Sequence, residues 1–250
     1  MTGTTAPPEP LEPMPADWRR ALAVAAHPDD LEYGAAAAVA AWTGGGRAVA
    51  YLLVSRGEAG IDGMPPAEAA AVREAEQRAS AAAVGVSDVS FLDRPDGRIE
   101  YGPALRRDLA AAIRRQRPEL VVSVNHHERS TLGGWNSADH RAVGTAVLDA
   151  VADAGNRWIF PELAEAGLEP WGGVRWVAVA GSPYPTHAVE VGAVLETAVA
   201  SLACHRAYLT GLGGDPDPER LARTFVERLA GMGAARFGGR PATAFELVPC

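Results

Sequence analysis

The chain has 250 residues, 48% of them hydrophobic, and carries 23 basic against 31 acidic side chains for a formal charge of −8. That length can bury one sizeable core. The acidic balance argues against a nucleic-acid or anionic-membrane partner, since both are held through phosphate charge. Two cysteines, Cys204 and Cys250, lie far apart, which excludes a disulfide framework or a CxxC zinc site and fits a reducing cytosol.

In chain order, residues 1–17 carry Pro7, Pro8, Pro10, Pro13 and Pro15 and no apolar signal-peptide core. They read as a disordered tail, leaving 18–250 as one domain in a cytoplasmic protein. The most apolar later stretch, Tyr33 to Trp42, is far short of the ~20 residues of a membrane span. Ala21 to Ala25 reads as a first strand, and Ala35 to Trp42 as a helix closed by Gly44-Gly45-Gly46. Because those glycines end a helix and do not open one, they are no phosphate cradle. Ala48 to Val54 is a second strand, Ala67 to Val84 a helix stopped by Gly85, and Val89 to Leu92 a third strand. A helix over Pro103 to Gln116 precedes a fourth strand, Leu120 to Val124. After a polar loop, Asn125 to Asn136, come a helix from Ala138 to about Asp153 and a strand at Arg175 to Ala180. A long helix over Val191 to Leu209 and a last one over Pro218 to Leu229 complete the reading. Strands alternating with helices predict βαβ units around a buried parallel sheet.

In such a sheet ligands gather outside the carboxyl ends of the strands. The first strand ends in Ala26-His27-Pro28-Asp29-Asp30-Leu31-Glu32. The residue before a proline is driven extended, so His27 can finish the strand, while Pro28, Asp29 and Asp30 suit a helix start. After the fourth strand, Ser137 is a natural N-cap that places Asp139 and His140 in the first turn of the next helix. His27, Asp30 and His140 together make a three-ligand set with a position left for water, the form of catalytic zinc sites. Asp29, beside a ligand but aimed elsewhere, is the candidate base for that water. Blander readings stand beside these. Two aspartates can simply favour a helix start, and His140 can be a capping or solvated histidine. His205, at helical spacing with Leu195, Ala198, Leu202 and Leu209, reads as a core histidine, and His187 as a loop residue.

The string at 26–32 resembles the signature of the LmbE-like, or PIG-L, family of zinc-dependent N-acetylglucosaminyl deacetylases. Ser55-Arg56-Gly57-Glu58-Ala59-Gly60, Arg73-Glu74, Phe91-Leu92 with Pro95-Asp96-Gly97, and Asp139 to Gly144 look like that family's further motifs, in order. The resemblance implies a Rossmann-like three-layer α/β domain with a mostly parallel sheet. It implies one Zn²⁺ per chain (another divalent metal is an alternative) on His27, Asp30 and His140, with Asp29 as base and Asp139 behind the ligands. Arg73 would contact a small sugar-like substrate, and Asp96 would lie near it. The expected activity removes an acetyl or other small acyl group from the amine of a GlcNAc-like conjugate. An amidase of thiol conjugates is the nearest alternative, and a homo-oligomer is left open.

One departure bears on catalysis. Where the family reads His-Pro-Asp-His, this chain reads Ser137-Ala138-Asp139-His140, so a histidine that helps stabilise the oxyanion is a serine. Losing such a stabiliser can cost ~10²–10³ in rate. Three readings stay open: His126 or His127 swings in, Ser137 or the metal suffices, or the protein is a weakened, mainly binding relative. A nucleotide-binding protein is disfavoured because no GxGxxG or P-loop string follows any strand.

Overall fold

The computed structural model describes residues 9–213 and 217–250. The apolar runs form strands and the stretches between them helices. In chain order these are β1 (Glu12–Pro13), β2 (Arg20–Ala25), α1 (Asp30–Gly34), α2 (Ala36–Gly44), β3 (Ala48–Leu53), α3 (Pro66–Ala83) and β4 (Asp88–Phe91). There follow α4 (Pro103–Gln116), β5 (Leu120–Val124), α5 (Ala138–Gly155), α6 (Pro161–Glu165), β6 (Trp176–Ala180) and β7 (His187–Glu190). The chain closes with α7 (Leu195–Ala203), α8 (Arg206–Gly211), α9 (Pro218–Ala234) and β8 (Ala242–Pro249).

The strands form one sheet in the order β1-β7-β8-β6-β5-β2-β3-β4. Neighbours from β6 to β4 are parallel, and β8 is antiparallel to both β6 and β7. From β2 the chain steps outward through β3 to β4, then returns past β2 to β5 and continues to β6. Right-handed crossovers therefore put α1–α3 on one face and α4–α5 on the other. The packing agrees: α4 lies against α5, while α2 and α3 lie against α7, which also packs on α9. The central strands are apolar along their length because both faces are covered. Leu22, Tyr51, Leu53 and Leu120 are among the fully buried side chains. The reversal of direction between β2 and β5 opens a crevice at their carboxyl ends, the topological switch point.

Several sequence expectations are corrected. Residues 1–8 lie outside the described residues, but the supposed tail is docked from residue 9 onward. Leu11 is buried and β1 pairs in parallel with β7. The long helix over 191–209 is a 3₁₀ turn at Gly192–Val194 followed by α7 and α8, because the backbone leaves helical geometry at His205 (φ −78°, ψ 53°). His187 lies in strand β7, not in a loop. The strands β1, β7 and β8 escape a sequence reading because they are short or mixed in polarity and become strands only by pairing with one another.

Helix α9 also runs past Leu229, through Gly231 and Gly233. A Cβ on Gly233 would fall 2.0 Å from the Ala242 carbonyl oxygen, so glycine there permits the close approach of α9 to β8. Two effects compete in Gly233→Ala: helix propensity favours alanine by about 1 kcal/mol, whereas overpacking against backbone costs about 1–3 kcal/mol. The clash is expected to win, lowering the thermal midpoint by several degrees; a raised midpoint would show that the two elements are not in contact.

Candidate metal centre

The crevice is where the ligand candidates meet. β2 ends into His27, and the chain turns sharply at Asp29, whose φ of 90° is left-handed. For a non-glycine residue that geometry costs on the order of 1–3 kcal/mol. The turn folds Asp30 back so that its Oδ2 accepts the His27 N–H at 2.8 Å. On the neighbouring side, Ser137 caps α5 by accepting the Asp139 N–H, which sets Asp139 and His140 in the first turn as the sequence suggested. Ligand atoms of His27, Asp30 and His140 all lie within 4.8 Å of one another. His27 Nδ1 is 3.5 Å from Asp30 Oδ2, and His140 Nε2 is 2.9 Å from Asp30 Oδ1.

The outward nitrogens of both imidazoles are tied down. His27 Nε2 is 3.0 Å from Asp139 Oδ2 and 3.2 Å from Asp96 Oδ1. Asp139 is itself buried and accepts the Gly97 and Ile99 N–H groups at 2.7 and 3.0 Å. His140 Nδ1 is 3.2 Å from Asn136 Oδ1, and the Asn136 amide donates to the Asn125 and His127 carbonyls, which fixes its orientation. In the neutral imidazoles, donation from those outer nitrogens would leave the lone pairs of His27 Nδ1 and His140 Nε2 toward Asp30. That is the arrangement by which supporting acceptors orient metal-bound histidines. Two neutral imidazoles and a carboxylate suit a divalent metal.

Asp29 points away from this set. Its Oδ2 is 2.6 Å from Arg73 Nη2, and its N–H donates to Gln77 Oε1 at 3.0 Å. Burial pushes its carboxyl up to about 7, against the pull of Arg73 and with help from the charge of Asp30. Asp30 goes the other way: burial works against its charge, but His140 and His27 hold it well below the usual carboxylate range. Adjacent carboxylates with opposite perturbations are a recurrent arrangement in hydrolytic sites.

The remaining expected site residues fall in several places. Arg73 is 2% exposed and lies on α3 beside Asp29. Asp96 lies on the Nε2 side of His27, behind the ligand set, with its carboxylate accepting the Ala59 N–H. His127 is committed elsewhere, its Nε2 2.7 Å from Glu246 Oε2 and its ring edge-on to Tyr184. His126 lies against His127 with centroids 4.0 Å apart and the rings tilted by 36°, and burial followed by that neighbour lowers its pKa. Ser137 lines the same cleft as Asp30 and His140, a space of about 320 Å³ whose apolar side includes Leu132, Trp135 and Phe225. His205 is fully buried with Nε2 3.4 Å from Glu32 Oε2. Sequence reasoning overlooked Gln77, Asn136 and the inward role of Glu32. For Gln77 a signal was present: Arg73, Gln77 and Ser80 repeat at helical spacing along an alanine-rich helix, so that one face of α3 is polar.

The fold thus defines an α/β protein whose switch-point crevice carries a His/Asp/His group that could hold a metal ion. The family model of GlcNAc-PI de-N-acetylase, PIG-L, matches residues 22–151, just over half of the chain, and the chain belongs to that family of hydrolytic N-deacetylases. It is 28% identical over 193 residues to diacetylchitobiose deacetylase of Thermococcus kodakarensis, covering 76% of this chain and 70% of that protein. It is 32% identical over 189 residues to 1D-myo-inositol 2-acetamido-2-deoxy-alpha-D-glucopyranoside deacetylase of Kineococcus radiotolerans, over 61% of this chain and 49% of that one. In structure it is similar to N,N'-diacetylchitobiose deacetylase from Pyrococcus horikoshii, with a TM-score of 0.82 at 22% identity, covering 93% and 85% of the two chains. Among the described residues no helix is long and apolar enough to cross a membrane.

The carboxylates around the imidazoles have a measurable consequence. Burial disfavours a charged His27, but Asp30, Asp139 and Asp96 outweigh it and raise its pKa to about 10; His140 is raised as well, by Asp30. With that shift, a metal entering the site would displace a proton from His27. Loading at pH 7 is expected to release about one proton or more per chain, with affinity rising as pH rises through the His27 pKa. Titration calorimetry in two buffers of different protonation enthalpy reads this directly; identical heats would show that the imidazoles are already neutral.

Proposed function

We propose that this protein is a zinc-dependent hydrolase that removes an acetyl, or another small acyl group, from the amine of a GlcNAc-like sugar conjugate. The observation that carries the reading is the convergence of His27, Asp30 and His140, each oriented, with Asp29 beside them and outside the set. Zinc held by those three residues would lower the pKa of a water and polarise the amide carbonyl. Asp29 accepts the proton of the attacking water and returns it to the departing amine, a role suited to a carboxyl raised toward neutrality. Asp139 and Asn136 keep the two imidazoles in the tautomers that ligation needs. Trp135 and Leu132, 64% and 53% exposed at the rim of the cleft, offer apolar surface to the face of a sugar ring.

Ser137 supports a second reading. The family's oxyanion histidine is absent, His127 is engaged with Glu246, and neither His126 nor His127 belongs to the ligand cluster. On that reading the protein is a metal-containing sugar-binding relative with little or no turnover.

Metal content and amine release decide between them. Elemental analysis of the wild type and Asp30→Ala is expected to give about one zinc per chain, lost in the variant. Against a panel of N-acetylated amino sugars, including N,N'-diacetylchitobiose, the wild type is expected to release amine. Asp29→Asn is expected to lose about 10²-fold or more in kcat with its zinc intact. Undiminished turnover in that variant would remove Asp29 as the base. Zinc and sugar binding without amine release would select the second reading.

A further inference from the structure

A second space, of about 280 Å³, adjoins the cleft that holds Asp30 and His140, and Tyr33, Gly34, Thr131, Gly181 and Leu229 line both. Asp30 and Gly34 are the two ends of α1, so the junction lies about 6 Å along that helix from a ligand carboxylate. The topology leaves this room. Ala180, the last residue of β6, pairs with Phe245, so Ala244 and Thr243 run on past the end of β6 and form one wall of the chamber. Helix α9 forms another. Phe225 lines the metal cleft, Leu229 lines both spaces, and Gly233 and Arg236 continue the stripe along the chamber at helical spacing. From Leu229 to Arg236 the stripe covers about 10 Å.

The surface of the chamber is largely hydrocarbon. Ala36, Ala198, Val226 and Ala230, all buried, line it, and several polar side chains on its wall are paired within the protein. Thr131 Oγ1 donates to the Ser182 carbonyl at 2.6 Å, and Ser182 Oγ to Glu246 Oε2 at 2.5 Å. Glu32 Oε1 accepts from Gln77 Nε2 at 2.9 Å and from Ser80 Oγ at 2.6 Å. A group that enters from the cleft therefore gains by burying apolar surface and not by hydrogen bonding. An amide at the metal has two sides. The exposed rim at Trp135 and Leu132 suits the hydrophilic sugar, which leaves the buried chamber to the acyl side. The walls from Gly181 to Pro185, on α9 and on β8 lie outside the segment 22–151 that the family model matches, so the family's motifs do not set the size of the chamber.

We propose that the chamber receives the acyl chain of the substrate, and that the protein removes a linear acyl group of medium length in preference to acetyl. At ~30 Å³ for each water-sized group, the space takes a chain on the order of eight carbons. The proposal rests on the amide-hydrolase reading of the metal centre. Water adds across the amide C–N bond: the carbonyl carbon takes the hydroxyl and leaves as a carboxylic acid, while the nitrogen takes the proton and leaves as the amine.

The test is amine release from glucosamine N-acylated with acetyl, butanoyl, hexanoyl and octanoyl groups. The value of kcat/KM is expected to rise with chain length, by up to about fourfold per methylene. Values that stay flat or fall would overturn the proposal. A second series carries the same chains on the anomeric oxygen of N-acetylglucosamine and is expected to show no such rise; a rise there and not in the first series would seat the chain on the sugar side and overturn it. Ala230→Phe and Thr243→Phe narrow the chamber from two separate elements, neither residue lining the metal cleft. Each is expected to abolish the octanoyl preference while keeping zinc and turnover of the acetyl substrate. A preference that survives both substitutions would overturn the proposal.

Binding of octanoate, the acid product, separates this proposal from the reading beneath it because it needs no turnover. Calorimetry is expected to find octanoate bound about 10²-fold or more tighter than acetate, with the difference lost in Ala230→Phe. That result without amine release from any substrate would leave the chamber standing and remove the hydrolase. Amine release with no chain-length preference and no octanoate binding would do the reverse. If Ala230→Phe leaves octanoate binding unchanged and alters the oligomeric state by light scattering, the chamber joins copies of this chain and the proposal fails.

Discussion

The carboxylate of Asp30 joins two parts of the chain more than a hundred residues apart. One oxygen takes the backbone N–H of His27 and faces its ring, while the other meets His140 at the start of α5. The three groups meet at one point, and Asp139 and Asn136 hold the far sides of both imidazoles. The sharp turn at Asp29 makes this possible, since it folds Asp30 back toward β2 and leaves Asp29 outside the set. The closeness of Asp30 to the histidines and the separation of Asp29 from them are two consequences of one left-handed turn.

That turn is carried by an unusual support. Helix α3 presents Arg73, Gln77 and Ser80 to the interior, where an amphipathic helix would ordinarily present apolar side chains. Buried polar groups are costly unless satisfied, and networks of them specify one arrangement when they are. Here the two Nη groups of the arginine donate to two carbonyls and a carboxylate, and the glutamine pairs with a backbone N–H and Glu32. Glu32, despite burial that disfavours its charge, is held below the usual range by His205, Ser80 and Gln77. The last of the strand-end motif's residues therefore faces the helix layer and not the metal.

Much of this was legible in the residues. The βαβ alternation, the strand end at His27, the N-cap at Ser137 and the placement of His140 follow from periodicity and capping chemistry, which act over a few residues. The outer strands were not legible. Strand β8 reads Ala-Thr-Ala-Phe-Glu-Leu-Val-Pro, with no local pattern that demands a strand, and it exists as one because β6 and β7 pair with it on either side. The break at His205 was hidden for a related reason, because the spacing of apolar residues continues through it.

The sequence by itself carried the groups of the candidate site: two histidines and neighbouring carboxylates at strand-to-helix junctions, with Ser137 as the cap of α5. Local rules reach that far because strand ends, caps and proline positions depend on adjacent residues. Only the tertiary structure decided how those groups are used. It set Arg73 inward against Asp29, Asp96 and Asp139 behind His27, and His127 against Glu246. Each of those choices is made between residues far apart in the chain, where burial and the need to satisfy every buried polar group select one partner among several.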